Sequence, residues 1–289
     1  MAGSTRARVI STAIAPYLYQ SGVLGRVHSV FRSALNLTVS DELITLATPS
    51  TGALPNGVVL DSETDLRRLP VGALVWSSSQ SLSCLDLQVE LIDAQLWSPL
   101  LEVRGEFRPL HEVRGALARA LQRRAPSGGF TDALRRLAEG ARDVSAGYPA
   151  MSEVLRAVGD SDLARALSSA RRLIGLGQGL TPSGDDFLIG LCAALRAAEH
   201  PLHAEFASGC WQQAEGRTTT VSEMFYRCAA RGEYSGRIHR VVSTLTDRAA
   251  DPAVELERAL DWGASSGADC VLGLLLGGAA TRRALVGAK

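Results

Sequence analysis

Near residue 110 the chain changes its hydrophobic period, and that change limits the folds open to it. Before it, short β-type runs alternate with turn residues. Val27–Phe31, Leu43–Ala47, Gly57–Leu60, Ala73–Trp76 and Leu87–Leu91 read as strands, with Pro49, Pro55-Asn56-Gly57 and Pro70 between them. Val9–Ala15 reads as a strand or the start of a helix. After residue 110, apolar residues recur at helical spacing over Val113–Arg124, Thr131–Arg142, Met151–Val158, Leu163–Ile174 and Phe187–Ala198. The same spacing continues over Leu202–Ala214, Val221–Ala230, Ile238–Asp247, Val254–Trp262 and Cys270–Leu285. The pattern predicts an α+β protein: a β-rich N-terminal barrel or sandwich, residues 1–109, packed on an all-helical part, residues 110–289.

Charge and cysteine usage narrow the partners. Lys plus Arg equals Asp plus Glu at 30 each, so the electrostatic attraction that drives nucleic-acid or anionic-membrane binding is not expected. No apolar run reaches the roughly 18 to 20 residues of a membrane span. Arg6, Arg8 and the short run that follows lead into Pro16 without a cleavage signal, so a secretory leader is not expected either. The five cysteines are scattered and none forms a Cys-x-x-Cys pair, which fits buried, reduced thiols in a cytoplasmic protein. His200-x-x-His203 beside Pro201 reads as a surface turn, since no carboxylate motif completes a metal site.

The densest chemistry lies in Leu173–Gly190, which places five glycines, Thr181-Pro182, Ser183-Gly184 and the adjacent carboxylates Asp185 and Asp186 between two helical patterns. A fainter copy follows: Ser183-Gly184, Asp186 and Gly190 recur as Ser266-Gly267, Asp269 and Gly273, each 83 positions on. Ser183 with Asp186, and Ser266 with Asp269, have the spacing of a capping box, which is reason enough for two such helix starts. Gly190, Gly273 and Gly277 would let helices approach closely. Gly175, Gly177 and Gly179 ask for more, because three glycines before a helix signal unusual dihedrals or a backbone that approaches a ligand.

Helix-start amides attract carboxylate or phosphate, and the hydroxyls of Thr181 and Ser183 add donors. Asp185 and Asp186 reverse the local charge; either one would accept from a substrate amide, act as a base, or help hold a divalent cation such as Mg. The Walker lysine is missing, and Gly177-Gln178-Gly179 departs from the dinucleotide fingerprint at its third glycine. A third cluster, Arg217-Thr-Thr-Thr-Val-Ser222, opens another helix and would serve as caps or as anion donors, with Arg217 as the counter-charge.

Leu176–Gly190, with its Leu-Thr-Pro-Ser-Gly-Asp-Asp-Phe core, resembles a bacterial family that includes one subunit of the three-subunit oxamate carbamoyltransferase of allantoin breakdown, a branch of purine catabolism. Thr219–Ser222 with Ala229 and Gly232, Ser266-Gly267 with Asp269 and Gly273, and Val27–Phe31 with Asn36 and Pro55 are similar to that family as well. The resemblance implies transfer of a carbamoyl group between oxalurate and phosphate, giving oxamate and carbamoyl phosphate, within a hetero-oligomer. The residues are compatible with it: Asp185 and Asp186 are the candidate catalytic residues, either of which suits the amide hydrogens or a cation. Substrate contacts would come from Gly177, Gly179, Thr181, Ser183, Gly184, Arg217, Thr219, Thr220, Ser222, Ser266, Gly267 and Asp269. Two other roles fit the residues: a non-catalytic subunit that completes a partner's site, and a cation-dependent amide hydrolase that uses both aspartates as ligands.

Overall fold

The computed structural model describes residues 3–102, 104–141, 144–145 and 147–287. It divides into two compact units, residues 1–100 with 234–237, and residues 101–233 with 238–289. The first unit is a β-barrel and the second is all helical.

Nine strands are present among the described residues: β1 Gly3–Ser11, β2 Gly22–Val30, β3 Ala34–Val39, β4 Glu42–Ala47, β5 Gly57–Leu60, β6 Leu74–Ser77, β7 Ser81–Cys84, β8 Leu87–Glu90 and β9 Gln95–Trp97. They run in the order β5-β4-β3-β2-β6-β7-β8-β1, and β1 closes the ring by pairing antiparallel with β5, Ile10 opposite Val58. Along its other edge β1 runs parallel to β8, Gly3 opposite Leu87, and then to the short β9, Val9 opposite Gln95. Closure removes most free sheet edges. Period-two alternation in β3 and β4 sends Leu35, Leu37, Ile44 and Leu46 into the core with Ile10, Val58 and Leu60. On the alternate positions, Thr45 donates to Asn36 (2.8 Å), and Asn56 donates to Thr45 (3.0 Å) and to the Leu43 carbonyl (2.7 Å).

The five runs expected as strands are all strands, and β1, Gly3–Ser11, settles the open reading of Val9–Ala15. A one-turn helix, α1 Ala15–Leu18, follows it.

The helical unit holds α2 Leu110–Arg123, α3 Thr131–Ala138, α4 Pro149–Gly159, α5 Leu163–Ala170, α6 Ser183–Ala197, α7 His203–Ala214, α8 Thr220–Ala230, α9 Gly236–Thr246, α10 Ala253–Leu260 and α11 Ser266–Gly287. Each expected helix is found, although α5 ends four residues before Ile174. α3 stops at Ala138, and Arg142 lies outside the described residues. The amphipathic helices bury one stripe, as α2 does with Val113, Ala116, Leu117 and Ala120.

Helices α6 and α11 differ: both are apolar nearly all round, and among the described residues they form the most extensive helix pair. A Cβ on Gly190 would lie 3.0 Å from the Cys270 carbonyl carbon, and one on Gly273 would lie 3.0 Å from that of Phe187. Further along, Gly277 faces Leu191 and Ala194. The facing positions advance together, so the helices are parallel. They are also exchanged by the 83-residue offset, since Phe187 corresponds to Cys270 and Gly190 to Gly273. The faint sequence copy is therefore an internal two-fold relation.

Candidate site at paired helix N-termini

The repeat extends into the loops before the two helices. The Leu176 amide donates to Leu173 O (2.9 Å) and the Gly184 amide to Leu176 O (2.8 Å). In the second copy the Trp262 amide donates to Ala259 O (3.2 Å) and the Gly267 amide to Trp262 O (2.9 Å). Gly184 and Gly267 each sit against the earlier carbonyl of their own loop, where a Cβ would meet the Leu173 carbon at 2.8 Å and the Ala259 carbon at 2.9 Å. Neither position admits a side chain. The first loop is three residues longer than the second, and the extra length accommodates Gly177 and Gly179, both with positive φ.

Ser183 does not cap α6, contrary to the capping-box expectation. The cap position is Pro182, with no side-chain bond, and Ser183 is the first helical residue. Its hydroxyl faces Asp269 of the other helix, while Ser266 faces Asp186. Each serine thus serves the acid of its two-fold mate. Thr181 joins them through a 2.9 Å hydroxyl contact with Ser266.

Because α6 and α11 are parallel, their positive dipole ends lie together. Two more helix starts meet them. Phe130, which precedes α3, donates its amide to Asp269 Oδ1 (2.6 Å). Thr219 caps α8 by accepting from the Ser222 amide (3.1 Å), and its hydroxyl donates to Leu180 O (2.5 Å). Residues 176–180 are exposed, and among the described residues the amides of 177–181 have no acceptor. The free donors are therefore in the loop. The amides of Gly184, Asp185 and Asp186 are taken by Leu176 O and Pro182 O.

The two adjacent aspartates point to different places. Asp185 is fully buried. Its Oδ1 accepts from the Gly175 amide (2.9 Å) and the Tyr226 hydroxyl (2.9 Å), and its Oδ2 accepts from Thr218. It fastens the glycine loop to α8. The Tyr226 proton is held firmly, because burial and the neighbouring Asp185 charge raise its pKa well above the ordinary value. Asp186 is half-buried as a residue, yet its Oδ2 is sealed from solvent and has no partner among the described residues. Burial raises its pKa well above the usual carboxylate range; Ser266 and Thr181 oppose this, and the charges of Asp269 and Asp185 add to it. Asp269 is fully buried, with Oδ2 also unpartnered. Its pKa is raised by burial against the opposing Phe130 amide and the Ser183 and Ser265 hydroxyls.

Asp185 and Asp186 are therefore not brought together around one cation. Among the described residues, no group of three or more His, Cys, Asp or Glu side chains is placed to hold a metal. His200 is buried rather than in a surface turn, and its Nδ1 accepts from the Leu202 amide (3.2 Å).

Other expected site residues divide into those at this junction and those around it. Gly177, Gly179, Thr181, Ser183, Ser266 and Asp269 are part of it, with Gly184 and Gly267 as its backbone support. Ser222 is buried beneath the α8 start, Thr220 is exposed, and Arg217 is exposed with no side-chain partner among the described residues. Sequence reasoning missed Tyr226, Ser265, Gly129 and Phe130, and placed Thr218 in the Arg217–Ser222 cluster without its bond to Asp185. For Gly129 and Phe130 a signal existed: Gly128-Gly129 has positive φ throughout, and a Cβ on Gly129 would stand 2.6 Å from Asp269 Oδ1 and 2.7 Å from Ser183 Oγ. All five cysteines are buried and free of disulfides, and no described helix is long and apolar enough to cross a membrane.

Residues 173–278 match the family model described as oxamate carbamoyltransferase subunit AllH, and residues 6–96 match the AllH family N-terminal domain. No solved structure matches the chain.

Proposed function

The chain belongs to the AllH family of oxamate carbamoyltransferase subunits, and from that premise we propose that it binds a small amido-carboxylate, oxamate or oxalurate, at the junction of α3, α6, α8 and α11. It takes part there in carbamoyl transfer to and from phosphate. The observation that carries this reading is the convergence of four helix N-termini on one exposed glycine loop whose amides at 177–181 are unused. Convergent positive dipole ends and free N–H groups favour a carboxylate or phosphate. Such donors also stabilise the oxyanion that develops as the carbamoyl carbonyl is attacked. Thr181, Thr219 and Ser266 supply half-buried hydroxyls at the rim and Ser183 a buried one beneath it, with Arg217 as an outer counter-charge. Asp186 faces the substrate amide, while Asp185 fixes Gly175 and α8 in place.

Assembly with other subunits in the cytoplasm is part of the proposal. On the barrel, Val23 and Trp76 are cross-strand partners and about half exposed, with Leu74 two residues from Trp76 also exposed. A surface of this kind suits a protein partner.

Calorimetric titration of the chain with oxamate, oxalurate and carbamoyl phosphate tests the reading. Saturable binding of at least one of them, lost in a folded Asp186→Ala variant, is expected. If the folded chain binds none of them, alone or with its co-purified subunits, the reading is wrong. Binding that depends on a partner, with normal turnover in the Asp186→Ala assembly, would transfer the chemistry to the partner.

A further inference from the structure

The internal two-fold gives each half of the junction one serine and one acid, but the two acids are held differently. Asp269 is wholly buried and tied down by a backbone donor, Phe130 N at 2.6 Å. Asp186, its mate 83 positions earlier, is half-buried; among the described residues it accepts no backbone hydrogen bond and its Oδ2 has no partner, and it lies in the partly open half beside the free loop amides. A backbone N–H bonds only to an acceptor and so favours the ionised form of Asp269. Two carboxyls at one junction resist a second negative charge, and the one without the fixed donor keeps the proton.

We propose that Asp186 is a neutral carboxylic acid that relays a proton between the two ends of the carbamoyl transfer, and that Asp269 is the positioning residue that keeps it protonated. This rests on reading the chain as a catalytic carbamoyltransferase subunit. Towards carbamoyl phosphate, a phosphate oxygen bonds to the ureido carbonyl carbon of oxalurate, and the bond from that carbon to the oxamate nitrogen breaks, its electron pair going to nitrogen. Asp186 gives its proton to that nitrogen and takes up the proton that phosphate gives up, both at Oδ1, since Oδ2 is sealed from solvent. The carboxyl ends neutral, as it began. In the reverse direction the attacking nitrogen supplies the proton and the departing phosphate receives it. The other titratable groups that face Asp186 are Asp185 on its own helix, and Asp269 and the Cys270 thiol on α11. Asp185 is spent on Gly175, Thr218 and Tyr226, and the thiol is held neutral by burial.

Two measurements test this. Infrared spectra of the isolated chain at neutral pH should contain a protonated-carboxyl band that is lost in Asp186→Asn and kept in Glu63→Gln, a surface control. Absence of the band in the unaltered chain, or its survival in Asp186→Asn, overturns the relay, and neither outcome depends on whether oxamate is the substrate. In the transferase assembled with its other subunits, Asp186→Asn should lower kcat about a hundredfold or more. Asp269→Asn should move the alkaline limb of the pH profile to lower pH by about one unit or more, because removing the neighbouring negative charge weakens the hold of Asp186 on its proton. An unmoved alkaline limb in Asp269→Asn, or near-normal turnover in Asp186→Asn, also overturns it. An assembly that does not turn over oxamate at all would refute the functional reading, while the infrared result would still decide the protonation of Asp186.

Discussion

Replacing Gly190 with alanine tests the parallel helix pair on which the site depends. The added Cβ would stand 3.0 Å from the Cys270 carbonyl carbon and 3.1 Å from the Leu274 amide nitrogen, with the Cys270 oxygen closer still. Backbone cannot step aside as the end of a side chain can. Carbon atoms pack best at about 3.5–4.0 Å, so α6 and α11 must separate by roughly 0.5–1 Å, which forfeits about a quarter to a half of each contact across the seam. Overpacking of this kind costs about 1–3 kcal/mol, sometimes more, while alanine returns up to about 1 kcal/mol of helix propensity. Adding the weakened packing of Leu191 and Leu274, we expect a net loss of about 2–4 kcal/mol. Urea unfolding followed by circular dichroism would measure it, and the thermal midpoint should fall by about 5–15 °C for a unit of this size. The two-fold sharpens the prediction. Gly273→Ala places its Cβ 3.0 Å from the Phe187 carbonyl carbon and demands the same separation. The two single variants should be similar, and the double variant should lose less than their sum, because one opening relieves both clashes. Gly115→Ala is the control: its nearest neighbour is the Arg119 side-chain end at 3.7 Å, and it should gain about 0.5–1 kcal/mol. A Gly190→Ala protein as stable as the parent, or strict additivity with Gly273→Ala, would refute this geometry.

Further outcomes follow from the acids and their partners. Tyr226→Phe removes the buried hydroxyl that donates to Asp185 and should cost about 1–3 kcal/mol in urea unfolding; a change within error would mean that Asp185 does not depend on it. Native Asp186 keeps its proton to higher pH than the unfolded chain, whose carboxyls ionise near pH 4. The native state therefore binds more protons above that value, and stability should fall as pH rises from about 4 towards the native pKa, by at most about 1.4 kcal/mol per unit from this group. Asp186→Asn should flatten the fall in part, the raised pKa of Asp269 supplying the remainder with the same sign; identical pH profiles would contradict the shift.

Much of the fold is written locally. The short apolar run Leu43–Ala47, buried throughout, and the helical stripe of Val113, Ala116, Leu117 and Ala120, which buries one face, reveal their elements. β1 was harder to read: Thr5, Arg6, Ala7 and Arg8 carry few β-branched apolar residues, and its strand conformation comes from pairing with β5, β8 and β9, which are distant in sequence. The motif at 173–190 and its echo at 266–273 marked the right helices and the close-packing glycines. The capping reading failed because Ser-x-x-Asp spacing describes bonds within one helix, and here the serines and acids are exchanged between two. Nothing local discloses that Asp185 turns to Thr218 and Tyr226 while Asp186 turns to Ser266, since about 100° of helical rotation separates adjacent side chains and tertiary packing decides which way each faces.

The central claim is that the unused loop amides at the junction of four helix starts receive a small anion. Amide-resolved nuclear magnetic resonance of the isotope-labelled chain during titration with oxamate addresses it directly. Saturable shifts confined to residues 177–181, with Ser183 and Ser266 following, are the predicted result. Shifts clustered on the barrel, or none at all from a folded chain at millimolar oxamate with the assembled subunits present, would contradict it.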